Sequence, residues 1–212
     1  MDEILIKMSN FVIGKKTDMT QLFDEDGRVV PVTIIQIDDN KIVDLRTEEK
    51  DGYKAIVIGS GFKKNATKAE NGRYKNAGFV PRYVREFRVE STEEYQVGDA
   101  IDIEKFDTNL KVDITGISKG KGFQGVVRKF DFAGGPKTHG QSDRHRAAGS
   151  IGSGTTPGRV YKGKKMPGRL GYETTTVKNL KIIKIDKINK LIAIKGAVPG
   201  RRGALVKITQ RI

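Results

Sequence analysis

Two glycine-rich patterns in the middle of the chain have the spacing of loops that bind nucleotide phosphates. The first, residues 120–125, spells G-x-G-x-x-G directly after a predicted strand. A dinucleotide site also needs a helix of about three turns whose N-terminus faces the pyrophosphate. Here only residues 126–132 separate the pattern from Ala-Gly-Gly-Pro, which breaks a helix. We therefore expect no dinucleotide site.

The second pattern, residues 158–165, matches G-x-x-x-x-G-K but places Lys165 where a phosphate loop has its Mg²⁺-binding Ser or Thr. Without that hydroxyl the metal ligand is missing, and Pro167-Gly168 interrupts any following helix. In both runs we expect glycine to let the backbone approach a phosphodiester chain and lysine to neutralise its charge.

The two histidines, His139 and His145, lie between these patterns and are candidates for metal binding or catalysis. A metal site needs further ligands, and Asp143 is the only acid near them. Ser142, Asp143 and His145 are too close in sequence to converge as a catalytic triad in an irregular loop. An imidazole that stacks on a base or donates to phosphate is the favoured interpretation. We predict no catalytic residue, no metal site and no cofactor.

Both patterns and both histidines belong to residues 119–169, which we call the arm. The arm holds 12 Lys/Arg and 2 acids, a net charge of +10, whereas the other 161 residues hold 28 Lys/Arg and 24 acids, a net of +4. Its few apolar residues follow neither period 2 nor period 3.6. It cannot bury enough apolar surface to offset its ordering entropy. Either the arm is a disordered insert or it folds against a polyanion, and its charge favours the polyanion.

Aromatic residues are interleaved with the cations of the arm, as is typical of chains that contact RNA. Arginine can bind phosphate bidentately and stack on bases, which lysine cannot do. Phe123 and Phe130 could instead pack into the protein's own core, an alternative weaker for Tyr161 in the densest basic run. The residues predicted to contact RNA are Lys119, Lys121, Arg128, Lys129, Lys137, His139, Arg144, His145, Arg146, Arg159, Tyr161, Lys162, Lys164, Lys165 and Arg169.

The composition of the whole chain restricts the class of partner. A net charge of +14 and a pI of about 9.8 are unusual for a free enzyme and indicate a polyanion, nucleic acid before an anionic membrane. No basic amphipathic helix or long apolar run is present, so we predict no membrane partner and no small-molecule substrate. Absence of cysteine excludes disulfides and thiol catalysis. The acidic start Met1-Asp2-Glu3 is unlike a signal peptide, so we expect a cytoplasmic or organellar protein.

The elements that flank the arm are predicted to be mainly β. Strands are predicted at 28–37, 41–46, 53–59, 112–117, 177–185, 191–195 and 205–208. Many short strands with regular turns favour a barrel or a sandwich.

Two hairpins and one insert complete the prediction for these flanking regions. Asp38-Asp39-Asn40 predicts a hairpin between strands 28–37 and 41–46, and Asn189 predicts a hairpin between the strands on either side of it. Residues 60–98 are polar, with weak helical segments at 63–70 and 81–87, and are interpreted as a small insert or lid.

Several motifs of the arm and of both chain regions that flank it carry a family resemblance. They are 119–126, 139–140, 145–146, 149–152, 156–160 and 162–168 in the arm, 14–16 and 19–23 before it, and 195–200 after it. In this order they closely resemble bacterial-type ribosomal protein L three of the large subunit. Asp18 stands where the family is expected to have Gly, and this substitution puts the local turn in doubt. Ser153-Gly154-Thr155 offers no Gln for the methylation that some bacterial members carry.

The resemblance implies a β-barrel body on large-subunit ribosomal RNA, with an arm that reaches toward the peptidyl transferase region and an early role in subunit assembly. We accordingly predict a mainly β protein: a β-barrel body with a small α-containing insert and a long irregular basic extension. Residues 1–118, with the insert at about 60–98, and 170–212 form the body, and 119–169 form the RNA-binding arm. The expected partners are large-subunit ribosomal RNA and neighbouring large-subunit ribosomal proteins. A free-standing RNA chaperone or translation regulator, and thirdly an enzyme, are the alternatives.

Overall fold

The computed structural model describes residues 9–211, which are mainly β and contain few short helices. The strands are β1 (Ser9–Phe23), β2 (Val29–Gln36), β3 (Asn40–Arg46), β4 (Ala55–Phe62), β5 (Pro81–Arg88), β6 (Lys111–Ile117), β7 (Phe123–Gln124), β8 (Gly168–Arg169), β9 (Thr174–Asp186), β10 (Leu191–Lys195) and β11 (Leu205–Arg211). The helices are α1 (Glu48–Asp51), α2 (Lys68–Arg73) and α3 (Val126–Phe130), with 3-10 turns at Lys75–Ala77 and Ile103–Lys105. The predicted mainly β class is confirmed. No helix in the described part of the chain is long and apolar enough to cross a membrane.

The chain divides into two compact units. The first combines the residues up to Ser118 with those from Thr174 onward, and the second is Lys119–Glu173. In the first unit, β1, β11, β6, β9, β10 and β2 form an antiparallel sheet in that order, and β2 also pairs with β1. The sheet therefore closes on itself as a barrel, which leaves these strands no open edge.

Isoleucine and valine fill the barrel because alternate residues of each strand point inward. Val12, Ile114, Ile192 and Ile208 come from four different strands, and each has no exposed surface. Gly14 in β1 is required by close packing, since a Cβ there would lie 2.5 Å from Cγ2 of Ile35.

A second sheet, in the order β3-β4-β5, packs against the side of β1 that faces away from the barrel interior. Phe11 of β1 stacks on Phe87 of β5 with ring centroids 4.9 Å apart. Ile13 of the same strand joins the buried residues Ile42 and Ile56 of the second sheet. Because β1 has buried side chains on both faces, it connects two hydrophobic cores.

The predicted hairpin between β2 and β3 is wrong. β2 pairs with β1 and β10, whereas β3 pairs with β4. The cause is Asn40, which is buried and whose side chain accepts from the backbone N–H of Ile13 at 3.1 Å and donates to its carbonyl at 3.0 Å. Asp38–Asn40 thus marks the point where the chain leaves the barrel for the second sheet.

The predicted helical segment at 81–87 is also wrong, because these residues form β5 and pair along β4. Burial of Phe87 against Phe11 outweighs the helix propensity of the Arg and Glu residues around it. The helical segment predicted at 63–70 corresponds in part to α2, which begins at Lys68.

A long strand in the first part of the chain was missed. β1 was not predicted, since Lys15, Lys16 and Asp18 interrupt its apolar alternation. Lys16 is nevertheless buried, and its ammonium donates to the carbonyls of Val198 at 3.2 Å and Gly200 at 3.5 Å. Asp18 follows a bulge in the strand rather than forming a turn, and its carboxylate lies 3.1 Å from Arg202.

The predicted hairpin around Asn189 is confirmed, since β9 and β10 are antiparallel neighbours. Asp186 organises the turn by accepting from the Asn189 amide side chain at 2.8 Å and from its backbone N–H at 3.1 Å. These hydrogen bonds hold the pKa of Asp186 below its usual value.

Candidate nucleic-acid interface

The unit Lys119–Glu173 begins and ends as a short antiparallel ladder. Phe123 pairs with Arg169, and Gln124 pairs with Gly168. The ladder continues with Lys121 N–H donating to Leu170 O and Leu170 N–H donating to Gly122 O, both at 2.9 Å. At Gly171, whose φ is 73°, a Cβ would lie 2.1 Å from the carbonyl oxygen of Lys119. Only glycine allows the two strands to cross this closely.

The G-x-G-x-x-G run leads into α3, which has five residues and ends at Asp131 in the left-handed region, with φ of 58°. Gly125 at its N-cap supplies no side-chain hydrogen bond. The second glycine pattern, 158–165, lies in turns and bends and is followed by no helix. Neither pattern therefore has the helix that a phosphate loop requires, as the sequence predicted.

The middle of the arm folds back on itself between Gly134 and His145. Gly135 N–H donates to His145 O at 2.9 Å, and Nδ1 of His145 lies 3.0 Å from Pro136 O. Since a carbonyl only accepts, Nδ1 carries the hydrogen of this bond, and Nε2 points to no partner in the described residues. His145 thus has one structural contact and one ring nitrogen available to a ligand.

The predicted RNA-contacting residues lie on the surface of this unit. Lys129 and His145 are half-buried, and the other thirteen are exposed. Val126 is the one buried residue between Lys119 and Glu173. The structure brings Lys129 and Lys165 together over the ring of Phe130 and, among the described residues, shows no such shared ring for the other predicted cations.

No arm cation forms an ion pair with any of the described residues. In the barrel unit, by contrast, eight lysines and arginines have carboxylate partners among the described residues. Examples are Lys15 with Asp38 at 2.5 Å, Arg46 with Asp51 at 2.8 Å, and Lys187 with Glu104 at 3.4 Å. The arm has only Asp131 and Asp143, so its own carboxylates offset little of its positive charge. Its field therefore favours an anionic ligand.

The aromatic residues of the arm differ in exposure. Phe123 is 75% exposed and Tyr161 is 62% exposed, so neither packs into a core of the protein. Phe130 is half-buried, with the Lys129 ammonium 5.1 Å and the Lys165 ammonium 5.7 Å from its ring centroid. Phe130 therefore supports two lysines by cation–π contact, while Phe123 and Tyr161 offer free ring faces.

Tyr172 was missed in the sequence because it lies just outside the arm as predicted. It is 61% exposed, and the Arg169 guanidinium lies 4.7 Å from its ring centroid. An aromatic residue directly after Leu170-Gly171 and three positions from Arg169 was the available signal. The pair presents a cation and a ring together, a combination that suits a nucleotide.

The arrangement offers little for catalysis or for metal binding. No group of three or more His, Asp or Glu residues that could hold a metal ion occurs in residues 9–211. Asp143 accepts a hydrogen bond from its neighbour Ser142 at 3.2 Å, and the described contacts of His145 are with Pro136 and Gly135. What the unit can do chemically is to neutralise phosphate charge and to stack on bases.

Known proteins of one family resemble the chain over most of its length. The family model described as Ribosomal protein L3 matches residues 60–190. A relative from Herpetosiphon aurantiacus, named large ribosomal subunit protein uL3, is 46% identical over 205 residues, covering 96% of this chain and 97% of its own length. Proteins of the same name from Dehalococcoides mccartyi and Francisella tularensis subsp. novicida are 47% and 45% identical, covering 93% and 97% of this chain and 96% and 99% of their own. By its residues and over nearly its whole length, the chain belongs to the ribosomal protein L3 family.

Proposed function

We propose that this protein is a structural constituent of the large ribosomal subunit that binds large-subunit ribosomal RNA through its arm and has no enzymatic activity. The observation that carries the proposal is the arm itself. Twelve cations lie on 51 residues without an ion-pair partner among the described residues, around a single buried side chain. Family membership supports the large ribosomal subunit as the particle that contains this protein, because the relatives are called large ribosomal subunit proteins.

The mechanism is architectural. RNA strands that approach each other repel, and lysines and arginines placed between them lower that repulsion. Arg144, Arg146 and Arg159 can engage phosphate oxygens bidentately, while Tyr161 can stack on an unpaired base. Since the arm has almost no core of its own, these contacts also hold it in one conformation. The arm and the RNA segments that it joins would become ordered together.

Two further parts of the proposal rest on the family resemblance. The arm reaches toward the peptidyl transferase region, and the protein enters the subunit early in its assembly. Neighbouring large-subunit ribosomal proteins are further partners, and a ribosome of the cytoplasm is the proposed location. The arm residues predicted from the sequence make the contacts with nucleotides.

Sedimentation of native particles in high salt tests the proposal against the alternative of a cycling RNA chaperone. An integral subunit protein remains with the large subunit through such a wash. A factor that cycles is released, since non-specific ionic binding weakens steeply with salt. Recovery of the chain in the free fraction, with the large subunit otherwise intact, would contradict the proposal.

A further inference from the structure

A second concentration of positive charge lies outside the arm, in residues 62–82. This segment has six Lys/Arg and one acid, a net charge of +5. When it and the arm are set aside, the remaining 140 residues have 22 Lys/Arg and 23 acids, a net of −1. The excess of positive over negative charge in the chain is therefore confined to two segments. Only one of them, the arm, was predicted to bind RNA.

The single acid of this segment is already engaged by its own neighbours. Glu70 at the start of α2 accepts from the Lys63 ammonium at 2.5 Å, from Thr67 N–H at 2.9 Å and from the Thr67 hydroxyl at 3.1 Å. These contacts, Lys63 first, lower the pKa of Glu70 to about 2. The charge of Lys63 is thus paired with that of Glu70. The other cations of the segment have no acid of the segment left to pair with.

The remaining cations surround an exposed phenylalanine. Phe62 ends β4, lies opposite Pro81 of β5, and is 70% exposed. Phe62 lines three shallow concavities: one of about 660 Å³ shared with Arg82, Asp38 and Asp39, one of about 550 Å³ shared with Arg73 and Arg82, and one of about 400 Å³ shared with Lys75. Lys64 lines the second and the third. We call Phe62, Lys64, Arg73, Lys75 and Arg82 the Phe62 surface.

The cations of the Phe62 surface are exposed, and none has a carboxylate partner among residues 9–211. The Arg73 guanidinium lies 5.4 Å from the ring of Tyr74, and that of Arg82 lies 5.4 Å from the ring of Tyr83. Each arginine is thus supported from one side by a ring and keeps its other side open. An exposed ring among unpaired cations fits a phosphodiester backbone with a base that can stack.

We propose that the Phe62 surface is a second RNA-binding site, in which Lys64, Arg73, Lys75 and Arg82 contact phosphates and Phe62 stacks on an unpaired base. The inference rests on the proposed function, since it takes ribosomal RNA as the available polyanion. The site belongs to the barrel unit and is built by the second sheet and α2.

Charge removal tests the phosphate contacts. The triple variant Lys64→Gln, Arg73→Gln, Lys75→Gln is compared with Lys50→Gln, Lys54→Gln, Lys187→Gln, which loses the same charge at places next to acids. Lys54 lies 3.9 Å from Glu48 and Lys187 lies 3.4 Å from Glu104, while Lys50 is in the acidic helix α1. Binding of the full-length protein to transcribed large-subunit ribosomal RNA is titrated with salt. At about 0.7 per phosphate, the first variant should flatten the log–log slope by about 2 units, and the control should not.

Stacking is tested by Phe62→Ala against Phe23→Ala. Phe23 is a matched control because it is 71% exposed and precedes the acidic turn Asp24–Asp26. Phe62→Ala should weaken binding by about tenfold at every salt concentration, as loss of one stacked base would. Ultraviolet crosslinking to the same RNA should attach a nucleotide to the peptide that contains Phe62. Thermal unfolding of each variant confirms that it is folded.

The outcomes separate the inference from the proposed function. If the Lys64/Arg73/Lys75 variant behaves like its control, the Phe62 surface does not bind RNA and the inference is wrong. The arm variant Lys162→Gln, Lys164→Gln, Lys165→Gln, titrated in parallel, shows whether RNA binding through the arm fails as well. If RNA binding is unchanged but incorporation into reconstituted particles falls, the surface contacts a protein, and the inference is again wrong.

Discussion

Ile117 and Thr174 are opposite each other in the antiparallel pair of β6 and β9, so the barrel strands before and after the unit 119–173 are neighbours. A barrel ladder of this kind is complete without the residues inserted between its strands. The ladder from Lys111 to Ile117 is formed entirely with residues 174–181. The arm is therefore an insertion that the barrel does not need for its own closure.

Deletion of residues 125–160 should leave a folded barrel. The segment contains one buried residue, Val126, whose burial contributes at most about 3 kcal/mol. The short ladder of β7 and β8 remains to join the ends. We expect cooperative thermal unfolding, with a Tm lowered by less than about 10 °C. Loss of a cooperative transition would mean that the arm is part of the core.

Trypsin should cut the RNA-free protein first within residues 119–169. Few backbone hydrogen bonds and one buried side chain hold the arm, so we expect it to lose a fixed conformation in isolation and regain it on RNA. Fragments ending at Arg144, Arg146 or Arg159 should appear early in mass spectra. The same digestion with large-subunit RNA present is the control and should protect these sites. Equal protection without RNA would contradict the expectation.

How far the sequence predicted the fold depends on where each strand finds its partner. The hairpin of β9 and β10 was predicted because its turn is local, and Asp186 and Asn189 bond to each other. The pairing of β2 with β1 was not, since β1 was itself missed, and the pairing of β2 with β10 joins residues far apart in the chain. β5 was taken for a helix because Phe11, on which Phe87 of β5 stacks, lies in a strand that was itself missed.

The candidate site was predictable in a different way. Charge and glycine content are properties of composition. The arm could therefore be recognised in the sequence without knowing which residues lie close to it in the fold. The Phe62 surface could not, because its residues are spread over 21 positions and become one surface only when β4 and β5 pair. The spacing of Thr67 and Glu70 is that of a capping box and is readable in the sequence, but the contact of Glu70 with Lys63 is not.

Stability at alkaline pH should depend on Lys207 in β11. Its ammonium donates to Glu86 O at 2.6 Å and lies 4.4 Å from the centroid of the Phe87 ring. Burial, and to a lesser extent the charge of Arg85, lowers the pKa of Lys207 below its usual 10.5. Between the folded-state pKa and 10.5 the unfolded chain binds more protons at this lysine, so its contribution makes the free energy of unfolding rise with pH.

Lys207→Met should remove this rise. Urea unfolding of the wild type and the variant, measured from about pH 7 to about pH 10.5, gives the difference in the free energy of unfolding at each pH. We expect the wild type to gain stability relative to Lys207→Met as pH increases. Lys184→Met, at an exposed position of β9, is the control and should show a constant difference. A constant difference for Lys207→Met would contradict the lowered pKa.

The free energy with which the arm binds RNA should have two contributions, charge neutralisation and base stacking. The dependence of binding on salt concentration distinguishes them. If about half of the arm's cations meet phosphates, log K should fall with log salt at a slope of about −4, at roughly 0.7 per phosphate. Lys162, Lys164 and Lys165 are exposed and without carboxylate partners in the described chain. Their joint replacement by Gln should flatten the slope by about 2 units. The Lys50/Lys54/Lys187 variant controls for total charge.

Tyr161→Ala should lower the affinity for RNA without changing its dependence on salt. Its ring is 62% exposed and makes no cation–π contact with a described residue, so it is free to receive a base. Loss of one stacked base lowers affinity by about 1–3 kcal/mol at every salt concentration and leaves the slope unchanged. Both variants are titrated against the same large-subunit RNA fragment. If the lysine variant keeps the wild-type slope, the run from Lys162 to Lys165 faces solvent or protein, and its assignment to RNA is wrong.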